Sequence, residues 1–131
     1  MLRLEWRARF TNADVNTLHA EGFAHPVLDT DWRAQVERHS LGWVCAFAGD
    51  RLVGFVNVAW DGGVHAFVID TLVAGDRRHG GTGRRLLEVA ERESRAAGCE
   101  WLHVDFEEDL RPFYVDACGF DLTPAGVIAL R

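Results

Sequence analysis

The chain has 131 residues, with 14 Lys and Arg against 20 Asp and Glu, for a formal charge of −6. That length suits one domain over residues 1–131, able to bury about two-thirds of its unfolded surface, and 48% hydrophobic with 26% charged residues excludes disordered and fibrous classes. No apolar run approaches the ~20 residues of a membrane span, and the acidic balance excludes a generic nucleic-acid binder.

The charged opening Met1-Leu2-Arg3-Leu4-Glu5-Trp6-Arg7 is unlike a secretory leader. Cys45, Cys99 and Cys118 are widely spaced and form no CxxC, so neither a disulfide framework nor a zinc knuckle is expected. The expectation is a reduced, soluble, cytoplasmic protein.

No repeat, low-complexity tract or linker marks a boundary. Leu2 to Arg7 alternates apolar and polar, the period of a half-buried strand. Thr11 and Asp14 have the spacing of a capping box, followed at helical intervals by Val15, Leu18 and Gly22/Phe23. After Pro26, Asp29 or Thr30 is expected to cap a second helix with Trp32, Val36 and His39 on one face. Trp43 to Phe47, Arg51 to Trp60 and Val64 to Val73 read as three strands. Ala48-Gly49-Asp50 and Asp61-Gly62-Gly63 are hairpin-type turns between them.

Gly83 to Ala97 is a predicted helix with Leu86, Leu87, Val89, Ala90 and Ala97 inward, and Gly98 suits its C′ position. Trp101 to Phe106 is a fifth strand, Pro112 opens a short helix ending at Gly119, and Val127 to Leu130 is expected to add one more strand. A meander followed by strand-helix-strand predicts an α+β fold: a mixed, mostly antiparallel central sheet flanked by helices.

The most informative stretch runs from Val73 to Leu87, joining a predicted strand to a predicted helix. Glycines at 80, 81 and 83 let backbone N–H groups converge, and with a helix N-terminus they make an anion site. Arg77, Arg78, Arg84 and Arg85 put four positive charges inside nine residues of an acidic protein. A phosphate is the simplest counterpart; solvated arginines at a surface helix start are the bland one. A Walker loop needs a Gly-Lys-Ser/Thr that is absent, and the dinucleotide fingerprint needs a glycine where Leu86 stands.

What remains is Arg-x-x-Gly-x-Gly at Arg78, Gly81 and Gly83, with Val73 five residues upstream. It resembles the acetyl-CoA signature of the GNAT superfamily of acyltransferases. Pro112-Phe113-Tyr114-Val115-Asp116-Ala117-Cys118-Gly119-Phe120 resembles that family's Phe-Tyr segment after the fifth strand, and Arg9-Phe10-Thr11-Asn12-Ala13-Asp14 echoes its opening. The resemblance covers nearly the whole chain and implies transfer of an acetyl group from acetyl-CoA, as acyl-donor cosubstrate, to a primary amine by direct attack.

Carried over residue by residue, the resemblance gives the pyrophosphate to the backbone of Arg78, His79, Gly80, Gly81, Thr82, Gly83 and Arg84. Gly81 and Gly83 then allow close approach. Leu72 and Val73 would splay from the fifth strand and receive the pantetheine arm, with a main-chain N–H facing the thioester carbonyl. Such donors are commonly worth ~3 kcal/mol. Tyr114 matches the tyrosine that protonates the leaving thiolate; a phenol stays protonated at neutral pH. The competing role is an anchor of its short helix.

An alkylamine of pKa about 10 must lose a proton before attack, so a base is expected. The candidates are Asp105, Glu107, Asp70 and Glu21. Glu107 stands where the family commonly has asparagine, seven residues before the tyrosine. It is either a base or a solvated strand end. Cys118, with no base identified beside it, reads as packing.

His65 and His103 read as satisfied histidines, and the six histidines lack ligand-like spacing, so no metal is implied. Trp6, Trp43 and Trp101 read as core. Trp32 and Trp60 lie nearer the side where the family admits acceptors, although core is the simpler reading for them too. The eleven residues after Phe120 are fewer than the two strands the family often adds, so the acceptor side is expected to be either open or completed by another chain, as in a homodimer.

The implied partners are a small-molecule or peptide amine, with no nucleic acid and no membrane. A non-catalytic acyl-CoA-binding or sensing domain is the alternative, and an O-acyltransferase or a user of longer acyl chains also fits.

Overall fold

Ser40 to Val73 is dominated by apolar segments joined by tight turns, and such segments pair with their neighbours. In a computed structural model describing residues 1–131, five strands form one sheet in chain order: β1 (Leu2–Trp6), β2 (Ser40–Ala48), β3 (Arg51–Trp60), β4 (His65–Val73) and β5 (Trp101–His103). The first four are antiparallel; β5 runs parallel to β4. That reversal needs a crossover, supplied by helix α3 (Thr82–Ala96). The mixed sheet flanked by helices is the α+β architecture that the element order predicts. No helix is long and apolar enough to cross a membrane.

Helices α1 (Asn12–Phe23) and α2 (Trp32–His39) pack on one face and α3 on the other. Phe55 turns toward the first pair, its ring edge-on to Phe10 at 5.5 Å and to Trp32 at 6.2 Å. Its neighbour Gly54 faces Leu86 and Thr82 of α3. Val36, Val44, Val53, Val56, Val58 and Leu86 are fully buried between these layers. The two buried indoles carry their N–H groups to partners: Trp43 donates to the Ala8 carbonyl at 2.8 Å and Trp32 to Asn16 Oδ1 at 3.0 Å.

Most element boundaries agree with the patterning, and the departures have physical causes. Thr11 caps α1 as expected, accepting from the Asp14 N–H. The cap of α2 is Asp31 rather than Asp29 or Thr30, accepting from Ala34 N–H and also from Asn12 of α1, so a tertiary bond selects among adjacent capping residues. His39 and Ala97, expected on the inward faces, are exposed at the C-terminal ends of their helices.

The fifth strand stops at His103 instead of Phe106: β4 and β5 pair only from His65↔Trp101 to Phe67↔His103. Trp101, expected in the core, is 63% exposed on this short edge strand. The helix opened by Pro112 is wound as a π-helix over Pro112–Ala117, with Cys118 N–H donating to the Phe113 carbonyl. No strand forms at Val127 to Leu130. Val127, Ile128 and Leu130 are more than 80% exposed and pair with neither edge of the sheet.

Candidate active site

Two features of β4 create an opening in the sheet. Asn57 of β3 pairs with Ile69 and Phe55 with Leu72, so one residue of β3 opposes two of β4, Asp70 and Thr71: a β-bulge. Asp70 adopts φ +56, a left-handed conformation that short polar side chains tolerate best among non-glycine residues. β5 has already left the ladder before this point, so Val68 to Val73 have no fifth-strand partner on their outer side. Leu72 and Val73 are therefore parted from the fifth strand, as expected.

The bulge also sends neighbouring side chains to opposite faces. Asp70 meets His19 and Leu72 meets Gly22, both on α1. Thr71 receives a hydrogen bond from Tyr114, and Val73 lies beside Gly83 of α3.

The loop after β4 leads into α3 with two left-handed residues, His79 at φ +64 and Gly81 at φ +87. Gly81 is the N-cap position and supplies no side-chain acceptor, so the first N–H groups of α3 have no capping partner. The amides of Arg78, His79, Gly80 and Gly81 likewise meet no protein acceptor. Together they form a run of free donors at the positive end of a 15-residue helix, the arrangement that suits a diphosphate.

Gly83 plays a different part. A Cβ there would lie 3.0 Å from the Phe113 ring and 3.6 Å from Val73, so its smallness seats the π-helix against α3. The Arg78 guanidinium is occupied, donating to the Val73 carbonyl at 3.2 Å and lying 4.0 Å from Glu21. Arg84 pairs with Glu88 one turn on.

Tyr114 is buried, and its hydroxyl donates to Thr71 Oγ1 at 3.2 Å. Its ring stacks on Phe106 at 5.1 Å and meets Phe113 and Phe120 edge-on. Burial pushes the phenol above its ordinary value, the bond to Thr71 opposes this, and Cys118 and Asp105 add to the rise. The hydroxyl thus holds its proton at neutral pH beside the bulge. Cys118 lies near it, and burial pushes the thiol up to about 11. Such a group is almost all thiol at pH 7, in keeping with packing rather than nucleophilic attack.

The four candidate carboxylates are placed very differently. Glu21 accepts from the Gly75 N–H and faces Arg78, tying α1 to the loop after β4. Glu107 is exposed beyond β5, where its carbonyl closes a 3₁₀ turn with Leu110 N–H; no hydrogen bond joins its side chain to Tyr114. Asp105 is exposed as well. Asp70 alone among the four is largely shielded, its side chain 17% exposed, and burial lifts its carboxyl above the ordinary range while His19 pulls it down.

His65 and His103 bond each other at 2.8 Å, satisfied as expected. His19, His25 and Thr71 complete the surroundings of the bulge and carry no local motif. Only the pairing of α1 with β4 reveals them.

The chain belongs to the GNAT acetyltransferase family: the family model described as Acetyltransferase (GNAT) family matches residues 3–120. That family uses acetyl-CoA, and its chemistry is acyl transfer. Among solved structures the chain is similar to a GNAT-family acetyltransferase from Streptococcus pneumoniae, with 21% identity over 100% of this chain and 98% of that one and a TM-score of 0.79.

It is also similar to glucosamine-6-phosphate N-acetyltransferase from Arabidopsis thaliana, at 12% identity over 98% and 97% of the two chains, TM-score 0.77. AAC(6')-Iy, in complex with the bisubstrate analogue CoA-S-monomethyl-acetylneamine, matches at 18% identity over 100% and 98%, TM-score 0.77. No curated protein matches the chain. At these identities the structural likeness concerns the fold.

Proposed function

We propose that this protein transfers an acetyl group from acetyl-CoA to a primary amine of a small molecule or peptide by direct attack. The observation that carries the reading is the parting of β4 from β5 beside the uncapped α3 N-terminus, with the Tyr114 hydroxyl bonded to Thr71 at that parting. The backbone from Arg78 to Arg84 would hold the CoA diphosphate, and Leu72 and Val73 would bond the pantetheine arm. Bound there, the thioester supplies an activated acyl group.

Tyr114 donates the proton that the departing sulfur needs. For the base, Glu107 and Asp70 compete, and the shielded position of Asp70 on the bulge favours it. An acidic body around a basic loop suits a cationic acceptor. The N-acetyl acceptors named for the Arabidopsis and CoA-analogue-bound relatives support an amine.

The test is thiol release from acetyl-CoA across a panel of amines. Turnover with at least one amine is expected. Tyr114→Phe is expected to lower kcat by about 100- to 10,000-fold, the usual worth of general acid catalysis, with CoA affinity retained. Tight CoA binding without release to any amine would establish the sensing domain instead.

A homodimer belongs to the same reading. Phe67, Ile69 and Trp101 on and near the open sheet edge, together with Val127, Ile128 and Leu130, leave apolar area that a second copy would cover and so complete the acceptor side. Sedimentation equilibrium should show a mass rising toward twice the chain with concentration; a monomer mass at all concentrations removes the dimer.

A further inference from the structure

The shielded side of the β4 bulge holds a linear array that the CoA site does not use. His25 Nδ1 lies 2.6 Å from the Pro26 carbonyl, His25 Nε2 lies 2.6 Å from His19 Nδ1, and His19 Nε2 lies 3.4 Å from Asp70 Oδ1. The rings of Phe23 and Trp32 flank His19 at 4.6 and 5.3 Å. From α1, Glu21 is turned to Gly75 and Arg78; among the charged groups, Asp70 feels His19 alone.

The proton inventory of this array is decisive. It has three polar contacts in series, and each needs one hydrogen between its two heavy atoms. A carbonyl and a carboxylate are acceptors only, and a neutral imidazole carries a single N–H. Two neutral rings thus fill two of the three contacts. Whichever tautomers they adopt, at least one contact is left with lone pair facing lone pair. With His25 donating to Pro26 and His19 donating to His25, the unfilled contact is the one between His19 and Asp70, which is also the longest of the three. One further proton, shared by Asp70 and His19, completes the series.

We propose that Asp70, His19 and His25 form a proton relay, in which Asp70 takes the proton of the incoming ammonium and the two histidines, anchored on the Pro26 carbonyl, hold it. The inference rests on the N-acyl transfer reading and assigns its base. Asp70 is the group that faces the amine; His19 and His25 act through it as positioning residues.

The balance closes. Of the three protons on the ammonium, one passes to the relay and then to water, and one stays as the amide N–H. The third reprotonates Tyr114 after that residue has given its own proton to the CoA sulfur. The C–N bond forms, the C–S bond breaks, and no oxidant or metal takes part.

The experiment is the pH profile of kcat/KM with two acceptors, one strongly basic amine and one weakly basic amine that is already neutral at pH 7. Asp70→Asn is expected to lower kcat/KM for the basic amine by about 100- to 10,000-fold at pH 7. Toward the neutral amine the loss should be slight, because the single proton its nitrogen must shed is the one that reprotonates Tyr114 and none is left for the relay, and CoA affinity should be unchanged.

His25→Gln is a second variant, on a partly exposed loop residue. An amide can donate or accept, so the series no longer needs an added proton, and the acidic limb of the profile should move to lower pH. Equal losses toward both amines for Asp70→Asn, or an unmoved limb for His25→Gln, overturn the relay. If the wild-type protein releases no thiol with any amine, the acyl-transfer reading fails first, and that outcome also removes the relay.

Discussion

Tyr114, Thr71 and Asp70 show how two adjacent residues of one strand serve opposite sides of a sheet. Asp70 and Thr71 lie side by side in the bulge and face opposite ways, so the phenol bonds from the face of α3 while the carboxylate faces α1. A regular strand also alternates faces, but its ladder would fill the space beside these residues. Here the bulge and the early end of β5 leave that space open.

Cys118 offers a check at the same scale. With its thiol pushed to about 11, a negligible fraction is thiolate at pH 7, so Cys118→Ser should leave kcat at the wild-type level. Stopped-flow thiol release should show no burst, since direct attack forms no acyl-enzyme. A burst that disappears in the serine variant would overturn direct attack.

At the scale of elements, capping decides where helices begin and gives them a pH dependence. Asp31 accepts from the Ala34 N–H and from Asn12, and these bonds hold its carboxyl below the ordinary 3.8, with Arg33 and Arg38 adding to the fall. A depressed pKa in the folded state stabilises the fold above the unfolded value. That contribution is lost as pH falls through the lowered folded value. Asp31→Asn keeps an acceptor at the cap and removes the titration. Thermal melts of the two proteins should therefore run parallel above pH 5 and converge at lower pH, as the wild type alone loses this contribution. Unchanged separation between the curves down to pH 2 would show that the cap bonds do not titrate.

The elements also show where local pattern reaches its limit. Thr11, Gly98 and Pro112 punctuate α1, α3 and the π-helix where spacing predicts, because caps and breakers act over a few residues. Trp101 to Phe106 has strand chemistry throughout, yet only Trp101–His103 pairs, because a strand exists only where a neighbour offers its edge. Val127 to Leu130 has the same chemistry and pairs with no strand.

At the scale of the whole molecule, α3 is the member that couples stability to the site. Its Leu86, fully buried, packs on Gly54 of β3, while its N-terminus follows the glycine-rich loop without a side-chain cap. Leu86→Ala should cost about 2–5 kcal/mol, a large share of the ~5–15 kcal/mol that holds a domain together. Urea unfolding would measure the loss as a lower midpoint at similar slope. A loss below 1 kcal/mol would mean that the α3 interface repacks freely.

The sequence by itself determined the order of elements as far as the short helix at Pro112, the glycine-rich junction before α3 and the family, since each depends on residues close together in the chain. It also concealed a basic loop under an acidic average: outside Arg77 to Arg85 the chain carries 10 basic residues against 20 acidic. Only the tertiary structure decided which carboxylate is shielded, that Gly83 serves packing against Phe113, and that His19, His25 and Asp70 stand in series. The reason is physical. A cap or a turn is set by bonds within a few residues, whereas a side-chain series linking residue 19 to residue 70 exists only after α1 settles on β4, and no spacing along the chain encodes that contact.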